Sequence, residues 1–236
     1  MSLPDLPRFF VPEAVENSTC ELLADEAQHA RVLRLKNGDS VHVFNGKGKL
    51  FTASIFSSGK KSSVNISDIV EEQSANLKSI ILLVAPTKNI ARFEWVIEKS
   101  IEIGVNKIIP IQCQHSERSH IKHERLMRIA ISAAKQSKDL FIPDISELIA
   151  FEKAIVMQNG EKWIAHCAEG EKASLKTLQR SSANTVLAIG PEGDFSSEEI
   201  RLANAQGYQP LSLGKKRLRT ETAAIVGVMV AALLMD

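Results

Sequence analysis

The sequence predicts an α/β protein with two domains: a small N-terminal β-barrel-like domain and a larger C-terminal domain built on a mostly parallel sheet. Short strand patterns separated by turn residues fill the first part of the chain, whereas continuous apolar runs alternate with helical patterns from Ser79 onward. Such alternation favours a parallel sheet covered on both faces. The polar segment 71–76 shows no periodicity, so we predict a boundary between domains 1–73 and 74–236.

The composition is that of a globular protein, with 44% hydrophobic and 24% charged residues. The net charge of +1 shows no general excess of basic residues. A nucleic-acid partner would therefore have to bind at local basic patches. The three cysteines are widely spaced and form no CxxC pair, which argues against a disulfide framework or a zinc ribbon. No signal segment is evident, and the apolar stretch 223–235 is shorter than a membrane span. We therefore expect a cytoplasmic protein without membrane contact or metal.

In the first domain, Asp25 is the predicted N-cap of a helix that reaches Leu33, followed by a turn at 36–39. Alternating apolar residues on both sides of Asn45-Gly46 predict a β-hairpin. The polar residues 57–63 are predicted to form a loop.

In the second domain, Asn89 is expected to cap a helix that ends at Gly104. The other predicted strands and helices alternate along the chain. The strands are 80–85, 107–111, 163–167, 185–189 and 210–213, and the helices are 124–136, 197–206 and 221–234.

The first candidate functional segment is Ile189-Gly190-Pro191-Glu192-Gly193-Asp194-Phe195-Ser196, at the end of a predicted buried strand. Glycines at the end of a parallel strand let a ligand approach the backbone closely. Ser196 and Glu199 have the spacing of a capping box, so a helix is expected to begin there. The alternative interpretation is a simple tight turn between strand and helix.

The second segment, Leu211 to Ala224, repeats this arrangement: a strand stops at Gly214, a loop follows, and Thr220 is the expected cap of a helix. Four of the five residues 215–219 are cationic. A solvated basic loop is the plain alternative. Because the following helix is almost entirely apolar, we expect the loop to be held between two buried elements.

Together these segments resemble the SPOUT, or α/β-knot, RNA methyltransferases. The motifs that carry the likeness are Gly190-Pro191-Glu192-Gly193, Leu213-Gly214 and Leu218-Arg219-Thr220-Glu221-Thr222-Ala223. The resemblance narrows to the ribosomal small-subunit methyltransferase E family, because Arg8-Phe9-Phe10-Val11, residues 29–35, 95–105, 117–119 and 133–137 also occur in that family's order. Any one motif is moderately specific, and the ordered set, which covers nearly the whole chain, is highly specific.

This resemblance implies a SPOUT trefoil-knot catalytic domain, a PUA-like RNA-binding domain, S-adenosylmethionine as cofactor, and a homodimer whose partner subunit completes the site. It also implies methylation of N3 of a uridine in 16S ribosomal RNA of the small ribosomal subunit. The sequence departs from the family pattern at Asp194, where a second glycine is common, and at Lys135, where an acidic residue is common. We expect Asp194 to affect loop flexibility and Lys135 to affect RNA contacts.

The glycine-bearing strand ends are the expected cofactor site, and His166 resembles a family position near it. The predicted cofactor residues are His166, Ile189, Gly190, Glu192, Gly193, Leu213, Gly214, Leu218, Thr222 and Ala223. Uridine N3 attacks poorly until its proton leaves, so a base or a stabilising cation is needed. We predict that Arg219 stabilises negative charge on the uracil oxygens and that Glu221 either orients Arg219 or acts as the base. A purely structural Arg–Glu pair is the alternative.

Basic side chains near turns and helix ends are candidates for RNA phosphate contacts, which position RNA without reading its sequence. The predicted set is Arg8, Arg31, Arg34, Lys36, Lys88, Arg92, Arg118 and Arg217. Each could instead belong to a solvated surface, and Arg118 could contact a second subunit. The spacing of His115, His120 and His123 fits no firm metal-ligand pattern.

Two rival functions remain open from the residues. A ribosome-assembly protein could keep the same fold without catalysis, and cofactor binding would separate it from an enzyme. A small-molecule enzyme that binds a nucleotide at 190–193 is disfavoured, because neither GxxxxGK[ST] nor GxGxxG is present.

Overall fold

The computed structural model describes residues 5–58, 61–75, 78–174 and 184–235. The chain forms two compact units. The first contains the residues up to Ala75 together with Ala134–Ile142, and the second contains the remainder. The sequence patterns indicate a continuous first domain and give no sign that residues 134–142 belong to it.

The first unit is built on a five-stranded mixed sheet in the order β1-β3-β4-β5-β2, in which only the pair of β1 and β3 is parallel. Apolar side chains that alternate along β3 and β4 form its core, with Phe9 and Val41 fully buried. Its elements are β1 (Arg8–Phe10), β2 (Thr19–Glu21), α1 (Ala24–Val32), β3 (Ser40–Phe44), β4 (Lys49–Ser58) and β5 (Lys61–Glu72).

Two predictions for this unit are wrong. Helix α1 begins at Ala24, with Leu23 rather than Asp25 at the N-cap position and without a side-chain cap hydrogen bond. The predicted loop 57–63 is largely strand, because β4 and β5 remain paired as far as Ser58 and Lys61; residues 59–60 lie outside the described part of the chain. Polar residues are compatible with this extension, since one face of an antiparallel pair can meet water.

Lys135 forms a partly buried ion pair within the first unit. Its Nζ donates to both carboxylate oxygens of Glu26 at 2.9 Å and to His29 Nδ1 at 3.1 Å. Burial, followed by the charge of Lys135, lowers the pKa of His29, so its ring is neutral at pH 7. The amino group is thus already engaged inside the protein.

The second unit contains a parallel sheet in the order β11-β13-β10-β12-β6-β7-β8, with β9 also paired to β7. Each of these pairs is parallel. Its strands are β6 (Ile80–Val84), β7 (Lys107–Gln112), β8 (Asp144–Ile145), β9 (Ile149–Ala150), β10 (Glu161–Ala165), β11 (Ala173–Ser174), β12 (Thr185–Ile189) and β13 (Gln209–Ser212). The helices are α2 (Ile90–Ile103), α3 (His123–Ser137), which continues into the first unit, α4 (Phe151–Val156), α5 (Ser197–Ala205) and α6 (Thr220–Met235).

The predicted alternation of strands and helices is confirmed in this unit. β6 and β12 are buried along their whole length, as their continuous apolar runs indicate. Asn89 accepts a hydrogen bond from the backbone of Ala91 at the start of α2, and Gly104 ends that helix in a left-handed conformation. At α5, Ser196 and Glu199 form the predicted capping box. These local signals fix where the helices around the sheet begin and end.

The sequence patterns miss the short elements β8, β9, α4 and β11, and they misplace the bounds of two other strands. β10 ends at Ala165, so His166 and Cys167 follow the strand, and β13 covers 209–212 rather than 210–213. Within the described part of the chain, no helix has the length and hydropathy of a membrane span.

Candidate active site

A cavity of about 570 Å³ lies where β10, β12 and β13 end. These strands are neighbours in the parallel sheet, so their carboxyl ends meet at one edge, where open α/β sheets bind ligands. The lining residues come from the last residues of these strands, from the segments that follow them, and from the first turns of α2 and α6. They are Arg92, Ala165, His166, Cys167, Lys172, Ile189, Gly190, Pro191, Glu192, Asp194, Leu211, Ser212, Leu213, Gly214, Lys215, Lys216, Arg217, Leu218, Arg219, Thr220 and Ala223.

The segment after β12 forms a tight turn that two hydrogen bonds stabilise. The backbone N–H of Asp194 donates to the carbonyl of Pro191 at 2.9 Å, and Glu192 Oε1 accepts from the backbone N–H of Lys88 at the same distance. A Cβ at Gly193 would lie 2.8 Å from the Cβ of His115, so this position requires glycine. Gly193 therefore shapes the turn, although it is not part of the cavity wall.

Thr220 connects the two glycine-bearing segments. It is buried, and its hydroxyl donates to the carbonyl of Gly190 at 3.1 Å. The prediction that Thr220 caps α6 is wrong, because Thr220 is the first residue of the helix and its hydroxyl is used in this contact. The hydrogen bond fixes the start of α6 against the end of β12.

Glu221 pairs with Arg92 rather than with its near neighbour Arg219. Arg92 Nη1 lies 3.6 Å from Glu221 Oε1, and the side chain of Glu221 is only 13% exposed. Its second oxygen, Oε2, is buried without a hydrogen-bond partner in the structure. Arg219 is exposed on the cavity wall, and among the described residues no side chain pairs with its guanidinium.

His166 places an uncharged ring in the cavity wall. Burial, followed by the charge of Lys172, lowers its pKa, while the charge of Asp194 acts in the opposite direction. Both ring nitrogens are buried and lack a hydrogen-bond partner in the structure. A neutral imidazole has one donor and one acceptor nitrogen, and a bound ligand can satisfy them.

Cationic side chains outnumber carboxylates around the cavity. Two acidic residues, Glu192 and Asp194, line it. The cationic lining residues are Arg92, Lys172, Lys215, Lys216, Arg217 and Arg219. Such a rim favours a polyanionic ligand next to the cavity.

Comparison with known proteins identifies the group to which this chain is similar. An RNA methyltransferase domain family matches residues 73–232, and an RNA methyltransferase PUA domain family matches residues 22–65. The ribosomal RNA small subunit methyltransferase E of Rickettsia conorii is 32% identical over 226 residues, which cover 93% of this chain and 91% of that protein. The chain belongs to the ribosomal RNA small subunit methyltransferase E family.

Solved structures agree with this assignment. A methyltransferase from Legionella pneumophila in complex with the cofactor SAM has a TM-score of 0.89 and 32% identity, covering 98% of both chains. The ribosomal RNA small subunit methyltransferase E from Neisseria gonorrhoeae bound to S-adenosyl methionine has a TM-score of 0.85 and 28% identity, covering 97% of this chain and 98% of that one.

This family member has the predicted fold class, an α/β-knot (SPOUT) domain preceded by a PUA-like half-barrel. In its sheet, β13 lies between β10 and β11, which both precede it in the sequence.

Eight of the ten predicted cofactor residues line the cavity. Thr222 and Gly193 do not: Thr222 is exposed on the first turn of α6, and Gly193 packs against His115. The lining residues that were not predicted as site residues are Ala165, Cys167, Lys172, Pro191, Asp194, Leu211, Ser212, Lys215, Lys216 and Thr220. Most of them flank the selected residues, so including whole segments after each strand would have found them.

The predicted RNA-binding residues of the second unit differ in whether their side chains are already bonded to other protein groups. Arg118 is half-buried and donates to the carbonyls of Thr87 and Lys88 at 3.1 and 2.6 Å. Lys88 pairs with Glu117 at 2.7 Å, which raises the pKa of the lysine. Arg92 and Arg217, in contrast, line the cavity.

In the first unit, three predicted RNA-binding residues are exposed at the end of α1 and beyond it: Arg31, Arg34 and Lys36. Arg31 Nη2 donates to Gln28 Oε1 at 2.7 Å, and Arg34 adopts a left-handed conformation with φ of 56°. Arg8, on β1, donates to the carbonyl of Lys138 at 3.0 Å.

Among the three histidines considered for a metal, His115 Nδ1 lies 3.1 Å from the carbonyl of Asp194 and His123 Nε2 lies 2.6 Å from that of Ile145. No group of three potential metal ligands occurs within the described ranges.

Proposed function

We propose that this protein transfers a methyl group from S-adenosylmethionine to N3 of a specific uridine in 16S ribosomal RNA of the small ribosomal subunit. The observation that carries the proposal is the cavity at the ends of three neighbouring strands, lined by both glycine-bearing segments and rimmed by cations. Membership of the methyltransferase E family supplies the reaction class and the target.

The residues around the cavity fit the cofactor. Its volume of about 570 Å³ lies within the range of small-molecule sites. The segments after β12 and β13 offer backbone groups, and His166 has two buried ring nitrogens without partners. We assign binding to the backbone of Gly190, Leu213 and Leu218, with further contacts from His166, Ile189, Glu192, Gly214 and Ala223. Gly193 shapes the turn beside them, and Thr222, which is exposed outside the cavity wall, is assigned no contact.

The chemistry requires N3 of the uracil to become nucleophilic. When bound, S-adenosylmethionine supplies the methyl group from its sulfonium centre. Arg219 stabilises the negative charge that spreads to the uracil oxygens as the N3 proton leaves. Its exposed position on the cavity wall, without a partner among the described side chains, leaves the guanidinium available to the substrate.

Of the two roles predicted for Glu221, the contacts favour orientation of a guanidinium, but the guanidinium is that of Arg92. The carboxylate is nearly buried, lies outside the cavity wall and neighbours Arg92 at 3.6 Å. In this arrangement Glu221 holds Arg92 beside the cavity, and the proton acceptor is another group or solvent.

RNA binding is assigned to the exposed cations. Arg92 and Arg217 would contact phosphates near the target nucleotide, and Arg31, Arg34 and Lys36 would contact phosphates farther along the RNA. The existing contacts of Arg8, Lys88 and Arg118 make them secondary candidates. Because its substrate is ribosomal RNA, the protein is proposed to act in the cytoplasm.

A homodimer is supported by apolar surface on two packed helices. α6 is apolar all around, yet Met229 and Leu233 are 45% and 64% exposed, one helical turn apart. Trp95 on α2 is 43% exposed. Exposed apolar side chains on helices that pack together are typical of an interface.

The test of the proposal combines binding and product analysis. Calorimetry with purified protein is expected to show saturable S-adenosylmethionine binding. Small subunits from a strain without the gene should lack one methyl group on a uridine, and the protein with cofactor should restore it, as mapped by mass spectrometry. Cofactor binding without restored methylation would favour a non-catalytic assembly protein, and the absence of binding would overturn the proposal.

A further inference from the structure

The carboxylate of Asp194 connects two segments that border the cavity. Its Oδ2 accepts a hydrogen bond from the backbone N–H of Cys167 at 2.7 Å, and its Oδ1 accepts from the backbone N–H of Phe195 at 2.8 Å. Cys167 follows β10 and Asp194 follows β12, which are adjacent strands of the sheet. One side chain therefore bridges the ends of two neighbouring strands.

The backbone of Asp194 is held in an unfavourable conformation by its surroundings. Its φ of 63° is in the left-handed region, which a residue other than glycine adopts only at a cost in free energy. Its N–H donates to Pro191, and its carbonyl lies 3.1 Å from His115 Nδ1. Because all of its polar groups have partners, the contacts determine this conformation against its intrinsic preference.

We propose that Asp194 is a positioning residue for the cofactor: its carboxylate holds the segment 165–167 against the turn 191–194 and so maintains the shape of the cavity. The inference rests on the proposed function, since the ligand is S-adenosylmethionine. The role that it assigns to Asp194 depends on hydrogen bonding to the Cys167 N–H rather than on charge.

Two substitutions separate hydrogen bonding from charge. Asp194→Gly removes the carboxylate but adopts the same φ without strain. Asp194→Asn removes the charge and keeps one acceptor oxygen, which can serve the bridging Cys167 N–H, while its NH2 group cannot accept from the Phe195 N–H. Asn17→Gly is a matched control, because Asn17 also has positive φ, 55°, and lies in the first unit. The measurements are the dissociation constant for S-adenosylmethionine by calorimetry and the melting temperature without cofactor.

We expect Asp194→Gly to weaken cofactor binding about 10-fold, since a hydrogen bond to a charged group is lost. Asp194→Asn should stay within about 3-fold of the wild type, and Asn17→Gly should bind normally. Relief of backbone strain offsets the lost bond in Asp194→Gly, so its melting temperature should change by only a few degrees. A purely structural role would move the melting temperature and leave the affinity unchanged.

Wild-type affinity in Asp194→Gly overturns the inference, as does an equal loss in Asp194→Asn, because that variant retains an acceptor for the Cys167 N–H. Should Asp194→Gly fail to fold, amide exchange in the wild type gives a second test. The Cys167 N–H is expected to exchange slowly although the residue is exposed, and fast exchange would refute the bridge. Failure of the wild type to bind the cofactor would instead contradict the proposed function.

Discussion

Arg219 is the residue on which the chemical step is predicted to depend most. Arg219→Ala should lower the single-turnover methylation rate about 100-fold, the usual loss on removing one stabilising group from a site of developing charge. Cofactor affinity should stay within about 3-fold, because the guanidinium serves the uracil. The measurement is methyl transfer to small subunits at saturating cofactor.

The matched control is Arg201→Ala, which removes an exposed arginine of α5 that pairs with Glu198 outside the cavity. It should react at the wild-type rate. An Arg219→Ala protein that also reacts at the wild-type rate would leave Arg219 without a catalytic role.

At the scale of elements, Gly227 is predicted to set the distance between α6 and β12. A Cβ at this position would collide with a terminal methyl group of Leu187, a buried side chain that would have to shift. Gly227→Ala should destabilise the protein by about 1–3 kcal/mol through overpacking, although alanine favours a helix by about 1 kcal/mol. Urea unfolding measures the difference.

Thr222→Ala, an exposed change in the same helix, is the control and should alter stability by less than about 0.5 kcal/mol. A more stable Gly227→Ala protein would mean that helix propensity outweighs packing and that α6 can move away from β12.

Elements with strong local signals could be predicted from the sequence. β6 and β12 are continuous apolar runs because both of their faces are covered, and α2 carries its own start at Asn89 and stop at Gly104. β8 and β9 could not be predicted, since two-residue strands have no periodicity and form through pairing with β7.

In the candidate site, too, local features could be predicted from the sequence and long-range contacts could not. Glycines at two strand ends indicated which segments form the cavity, because that information is local. The partner of Glu221 could not be predicted, since Arg92 is distant in sequence and the packing of α2 on α6 brings it close. The bridge from Asp194 to Cys167 likewise depends on strand order, which the sequence patterns do not reveal.

For the whole molecule, stability is predicted to fall as pH decreases from 7.5 to 5.5. His29, His42 and His166 all have pKa values below their ordinary 6.5, in each case chiefly through burial. Below pH 6.5 the unfolded chain therefore binds more protons than the folded one, and the free energy of unfolding declines by at most about 1.4 kcal/mol per pH unit for each histidine.

Two carboxyl groups with lowered pKa values do not interfere in this range. Asp5 and Glu198 have pKa values below their ordinary 3.8 and 4.5, so the stability they contribute is lost only in more acidic solution. Urea unfolding at pH 7.5, 6.5 and 5.5 measures the slope, and His166→Gln should reduce it. A constant free energy of unfolding over this range would contradict the prediction.

The proposed homodimer is tested at the same scale by adding charge to α6. Met229→Lys and Leu233→Lys place an ammonium group on the exposed apolar face, so burial against a second subunit becomes unfavourable. Light scattering should change from twice the chain mass of 25.9 kDa to that mass itself. Methylation should fall as well, because the partner subunit is proposed to complete the site.

Val156→Lys is the control, since Val156 is 56% exposed on α4, away from the two helices in question. Its mass should remain that of the dimer, which separates a specific interface from a general effect of surface charge. Monomeric wild-type protein would refute the dimer. If the α6 variants remain dimeric, the interface lies on another surface of the protein. If the α6 variants are monomers that retain full activity, each chain contains a complete site.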